Sequence, residues 1–127
     1  MKNIKILRNA LLLAGVLMLG TTACVYETIV PEVVEPVEDV SFSQDIIPIF
    51  NENCNLSGCH STGEWAPDLT ATNAYNSLIN GNYVNTSDPE SSVLYVKIAP
   101  GGSMEQYSSP QETALILGWI EEGAQNN

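Results

Sequence analysis

The chain opens on an apolar run, Leu11 to Leu19, broken only by small residues. Lys2, Lys5 and Arg8 precede it, and "TTAC" closes it at Cys24. A basic head, a short apolar run and small residues make the pattern of an export signal over residues 1–23. The run falls short of the roughly 20 apolar residues that a spanning helix needs. A cysteine directly after the small residues makes lipidation of Cys24 the leading expectation, with ordinary cleavage or an uncleaved anchor as alternatives. "VYETIVPEVVEPVEDV", Val25 to Val40, follows with two prolines and five acidic residues. It has neither a helical nor a strict alternating period, which predicts an extended tether over residues 24–41, or else a short edge strand.

Beyond residue 42 the apolar positions cluster at helical spacing. Ser43 is a candidate N-cap for a first helix carrying Ile46, Ile47, Ile49 and Phe50, with Pro48 near the end of the first turn. It is predicted to stop at "CNLSGCH". A second, weaker pattern runs from Thr72 to Ile79 and is stopped by Asn80 and Gly81. In "SDPESSVLYVKI", Asp88 as cap and Pro89 at the first helical position predict a third helix through Ile98. Its β-branched residues keep a strand open as the alternative.

"APGGSMEQYS" reads as a glycine-bearing loop. The clearest helix is the last. Ser109 as N-cap, Pro110 at the first position and Glu112 three residues beyond the cap form a capping box, and Leu115, Ile116, Trp119 and Ile120 make an apolar stripe ending before Gly123. The expectation is an all-α domain over residues 42–127, several short helices around one core.

Charge narrows the partners. With the signal removed, Lys97 is the single Lys or Arg beside fifteen Asp and Glu, a formal net charge of −14. Such a surface repels phosphate backbones, so nucleic acid is not an expected partner, whereas a protein with a basic docking patch is. The acidic residues are spread through the tether, the caps and the last helix as a solvated face. They form no catalytic carboxylate pair, so no enzyme activity is expected.

Lipidating Cys24 leaves only Cys54 and Cys59, separated by four residues, and the chain's one histidine, His60, follows directly. Two thiols and an adjacent imidazole are what covalent haem attachment requires: thioethers to the two vinyl groups and an axial ligand to iron. The usual spacing is C-x-x-C-H. The longer C-x4-C-H loop reaches both vinyls if it bulges outward, and Gly58 permits the backbone to turn back. A Cys54–Cys59 disulfide with an ordinary His60 is the alternative for an exported chain. A zinc or copper site is another, although three donors do not close a tetrahedral set. Met104 is the only methionine left once the signal is removed. A loop methionine away from any apolar stripe is a candidate second axial ligand.

The order of "FSQDIIPIF", the Cys-His loop, "APDL", a methionine loop and "GWIEEGAQNN" resembles a class I c-type cytochrome domain. More narrowly it is similar to the small cytochrome c domain-containing lipoproteins of Bacteroidetes-type bacteria. The resemblance covers about residues 42 to 127. It implies a small helical domain around one haem c, with Cys54 and Cys59 as thioether sites, His60 as proximal and Met104 as distal ligand. Pro67 would offer its carbonyl to the proximal imidazole, and Phe50 and Trp119 would meet where the terminal helices cross. Ile49, Leu69, Leu94 and Leu115 would bury the ring, and Trp65, Tyr75 or Tyr83 are candidate donors to its propionates. Glu105 stands where many members of that family carry proline. The implied function is electron transfer by a mono-haem, lipid-anchored protein facing the periplasm. An open distal position would instead make a haem sensor or peroxidase.

Overall fold

A computed structural model of the chain describes residues 37–127, and the expected signal, Cys24 and most of the expected tether lie outside the described residues. Among the described residues all regular structure is helical, with no strand, so the all-α expectation stands and the strand alternatives at residues 37–40 and 93–98 do not.

The first helical run, α1, is continuous: π-helical Phe42–Ile46, α-helical Ile47–Ile49 and π-helical Phe50–Cys54. Pro48 lies in its middle, and the wider π turns on either side accommodate a residue that has no N–H for the ladder. The cap is Ser41 rather than Ser43. Phe42 is only 2 % exposed, so the run must begin early enough to drive that ring into the core. Ser41 Oγ accepts the Gln44 N–H at 3.3 Å, and Asp45 accepts the Ser41 N–H at 2.8 Å.

The second helix, α2, spans Ala74–Asn80, two residues later than expected at its start, because the Thr70 carbonyl holds the Asn73 and Ala74 N–H groups in a preceding turn. The third pattern divides into a 3₁₀ turn, Pro89–Ser91, and α3, Val93–Ile98. Ser92 breaks it. This residue is 1 % exposed, and its hydroxyl satisfies Asn85 by accepting the N–H at 2.9 Å and donating to the carbonyl at 3.4 Å, which holds Ser92 in extended backbone. The last helix, α4, is Pro110–Glu121, with the expected capping box closed in both directions: Glu112 N–H to Ser109 Oγ at 3.3 Å and Ser109 N–H to Glu112 Oε2 at 2.7 Å. Glu112 Oε1 also accepts from Asn53 Nδ2 at 3.0 Å, tying this cap to the end of α1.

Phe42 is the central ring of the core. It meets Trp119 at 4.9 Å between centroids, Tyr75 at 5.5 Å and Phe50 at 6.4 Å. The expected Phe50–Trp119 contact is therefore replaced by two contacts through Phe42, although both residues are fully buried. Trp119 Nε1 donates to the Gln125 carbonyl at 2.8 Å, so its one polar atom is satisfied.

The domain starts before residue 42. Val40 is 2 % exposed and Val37 packs against the core. The Glu122 carboxylate accepts the Asp39 and Val40 N–H groups at 2.6 and 2.9 Å, and Asn127 accepts the Phe42 N–H through Oδ1 at 2.8 Å and the Ser43 N–H through its backbone oxygen at 2.9 Å. One turn before Glu122 on α4, Gly118 faces the same strap, and a Cβ there would lie 2.7 Å from the Val37 carbonyl. Residues 37–41 are thus a strap laid on α4 rather than the last of a free tether.

Candidate functional site

Cys54 ends α1, and the chain then doubles back. Cys59 N–H donates to Leu56 O at 2.9 Å, closing a turn in which Gly58 takes φ +81°, a left-handed conformation that favours glycine. His60 N–H returns to Cys54 O at 3.1 Å, Trp65 N–H to Cys59 O at 3.0 Å and Leu69 N–H to His60 O at 2.8 Å. Leu56, Ser57 and Gly58 are exposed while Cys54, Cys59 and His60 are half-buried, so the extra residues of the C-x4-C loop do bulge outward.

Cys54 and Cys59 are free thiols. Burial pushes the Cys54 thiol up to about 11, with smaller contributions from the Glu112 carboxylate and from Cys59.

His60 Nδ1 lies 3.1 Å from the Pro67 carbonyl and 3.1 Å from the Trp65 carbonyl. Two acceptors and no donor face that nitrogen, so Nδ1 is placed to donate, and the tautomer with its proton there carries the lone pair on Nε2. The Pro67 carbonyl lies against the His60 imidazole as the resemblance implies; the Trp65 carbonyl as a second acceptor had no sequence signal.

Pro67 is buried, and Asp68 beside it holds the segment in place. Asp68 Oδ1 accepts from Thr70 N–H at 3.0 Å and Thr70 Oγ1 at 2.6 Å, and Oδ2 accepts from Thr62 Oγ1 at 2.8 Å and Asn73 Nδ2 at 2.9 Å. The Thr70 side chain and backbone, then Asn73 and Thr62, hold the Asp68 carboxyl down at about 2 against some opposing desolvation. Sequence reasoning passed over Asp68. Its signal was the D-x-T spacing, in which a carboxylate caps the N–H two residues on.

Met104 sits between Gly102 and the 3₁₀ turn Glu105–Tyr107, and its N–H donates to the Lys97 carbonyl on α3 at 2.8 Å. Gly102 packs so closely on the Val96 and Lys97 carbonyls that a Cβ has no room. Glu105 accepts the Gly101 N–H at 2.9 Å, an acceptor role for the loop that proline could not fill.

These residues converge on one cavity of about 380 Å³, within the range of roughly 300–1,000 Å³ typical of cofactor sites. Cys54, Cys59, His60, Pro67 and Met104 all line it. Ile49, Leu69, Leu94 and Ile98 supply apolar wall, and from α4 it is Ile116, not the expected Leu115, that reaches it. The two differ by one position, about 100° around the helix, and Leu115 is half-buried elsewhere. Trp65 and Tyr83 line the cavity, whereas Tyr75 is spent on the Phe42 ring. Lys97 and Tyr107 also line it. Among the described residues no three His, Cys, Asp or Glu side chains gather around a single point as metal ligands would. The candidate donors Cys54, Cys59, His60 and Met104 are instead spread around one apolar space.

Comparison with protein-family models, with curated proteins and with solved structures finds no match for this chain.

Proposed function

We propose that this domain is a mono-haem c-type cytochrome that carries electrons rather than converting a substrate. The observation that carries the reading is the cavity: both thiols, the only histidine and the only methionine outside the expected signal line the same apolar space. The resemblance of the motif order to class I c-type cytochromes supports it.

A haem c bound there would supply one-electron cycling between ferric and ferrous iron. The chain's own residues do the rest. Cys54 and Cys59 tether the ring edge. His60, with Nδ1 facing the Pro67 and Trp65 carbonyls, would offer its Nε2 lone pair to the iron. Met104, fixed through its N–H to α3, would be the second residue to hold the iron, and a thioether there would favour the ferrous state relative to a second histidine. The apolar wall of Ile49, Leu69, Leu94, Ile98 and Ile116 excludes water, which also favours the less charged ferrous state. Lipid on Cys24 would hold the protein at a periplasm-facing membrane, and the acidic surface would draw a redox partner through a basic docking patch.

The test is expression with a cytochrome c maturation system followed by acid–acetone extraction and a pyridine haemochrome spectrum. Haem that resists extraction and gives the c-type spectrum is the expected result, lost in Cys54→Ser/Cys59→Ser. A colourless, correctly exported protein would overturn the reading and leave a lipid-anchored domain with a Cys54–Cys59 pair. Met104→Ala is expected to change the ferric spectrum to one with an open or water-filled position. An unchanged spectrum would remove Met104 as ligand and favour a sensor or peroxidase.

A further inference from the structure

The Pro67 carbonyl and the Asp68 N–H belong to one peptide unit, which is planar and holds the two groups pointing in opposite directions. Each end of that plane is engaged. The carbonyl lies 3.1 Å from His60 Nδ1, and the N–H donates to Ser77 Oγ on α2 at 2.9 Å. A fixed N–H therefore aims the carbonyl. The Asp68 side chain prevents the segment from sliding: through Thr62 it grips the chain two residues beyond His60, and through Thr70 and Asn73 it grips the approach to α2.

We propose that Ser77 and Asp68 are positioning residues for His60, locking the Pro67–Asp68 peptide plane so that its carbonyl, rather than that of Trp65 alone, takes the Nδ1 proton. The inference rests on the haem reading for its consequence. A well-aligned acceptor at Nδ1 raises the basicity of Nε2, strengthens the bond to ferric iron and lowers the reduction potential. Trp65 offers a second acceptor at the same distance but is 74 % exposed, so its carbonyl belongs to a segment less firmly held by packing. Without Ser77 or Asp68 the imidazole shares its proton with this second acceptor and turns.

The experiment compares holoprotein carrying Ser77→Ala, Asp68→Ala and Ser77→Thr with the wild type. In the two alanine variants the ferrous-to-ferric ratio at fixed ambient potential is expected to rise about threefold, an upward shift of about 28 mV at 59 mV per tenfold, with a lower iron–histidine stretching frequency by resonance Raman. Ser77→Thr, which keeps the hydroxyl, restores both. Ile120→Val, a core change that also lowers stability, leaves both unmoved and so separates positioning from general loosening. Wild-type potential and stretching frequency in both alanine variants would overturn the inference. If the wild-type chain carries no haem, the functional reading falls by itself, and NMR shifts in the full chain decide the inference. A His60 Nδ1–H hydrogen bond to the Pro67 carbonyl, read from the His60 ¹⁵Nδ1 and Pro67 ¹³C′ shifts, that weakens in Ser77→Ala supports it, and a hydrogen bond indifferent to Ser77 overturns it.

Discussion

Replacing Glu122 with alanine removes the acceptor of two backbone N–H groups, those of Asp39 and Val40, and tests whether the strap belongs to the folded domain. Hydrogen bonds to a charged acceptor contribute about 1.5–3 kcal/mol each when buried. The Asp39 bond is exposed and the Val40 bond part-buried, so the pair together is worth about 2 kcal/mol. A domain of this size loses about 4–8 °C of Tm per kcal/mol, so Glu122→Ala lowers Tm by about 8–16 °C. Glu122→Gln keeps one acceptor oxygen and falls by about half as much. Gly118→Ala, which would set a Cβ 2.7 Å from the Val37 carbonyl, displaces the same strap from the other side and moves Tm in the same direction. The assay is thermal unfolding followed by far-UV circular dichroism, alongside two shortened chains. One beginning at residue 37 keeps the parental Tm; one beginning at residue 42 loses at least as much as Glu122→Ala, since it also gives up the buried Val40 side chain. A Glu122→Ala protein within about 2 °C of wild type, together with a harmless truncation to residue 42, would refute the reasoning and return residues 37–41 to the tether.

Four further outcomes follow from the site. With its thiol at about 11 against 9 in an exposed setting, Cys54 in the haem-free folded protein is alkylated at pH 8 about 100-fold more slowly than in urea; equal rates would contradict the burial argument. Because that folded value is raised, the Cys54 contribution to stability is complete below pH 9 and is lost as pH climbs through 11, so Cys54→Ser flattens the alkaline limb of a Tm–pH profile. The Asp68 carboxyl is displaced the other way: its contribution is present above about pH 4 and disappears as pH falls through about 2, and Asp68→Asn, measured by acid unfolding, shows a shallower loss over that window than wild type. Gly102→Ala forces the methionine loop off the Val96 and Lys97 carbonyls, and the holoprotein is expected to lose the spectral signature of methionine ligation while keeping covalent haem; an intact signature would show that the loop tolerates the side chain.

Much of this protein was legible from local rules. The capping box at Ser109 and Glu112, the stop at Gly81, the outward bulge allowed by Gly58 and the candidacy of Cys54, Cys59, His60 and Met104 all follow from side-chain chemistry within a few residues of chain. Local hydrogen bonding and backbone sterics act over such distances, so sequence suffices for them.

What only the tertiary structure decided involves burial and partners outside the local turn. That residues 37–41 are strap and not tether depends on Gly118 and Glu122, some eighty positions away, and no run of valine, glutamate and proline reveals an acceptor so distant. That Ser41 and not Ser43 caps α1, and that Phe42 rather than Phe50 meets Trp119, depends on which ring the core has room for. Ser92 breaks a pattern that reads as one helix because Asn85 offers it backbone groups to satisfy in a buried place. The substitution of Ile116 for Leu115 in the cavity wall is a rotation of about 100° that an amphipathic stripe too broad to discriminate leaves open. Chemistry-bearing residue types are chosen one at a time and show in the sequence; the direction in which each one points is set by contacts made across the whole fold.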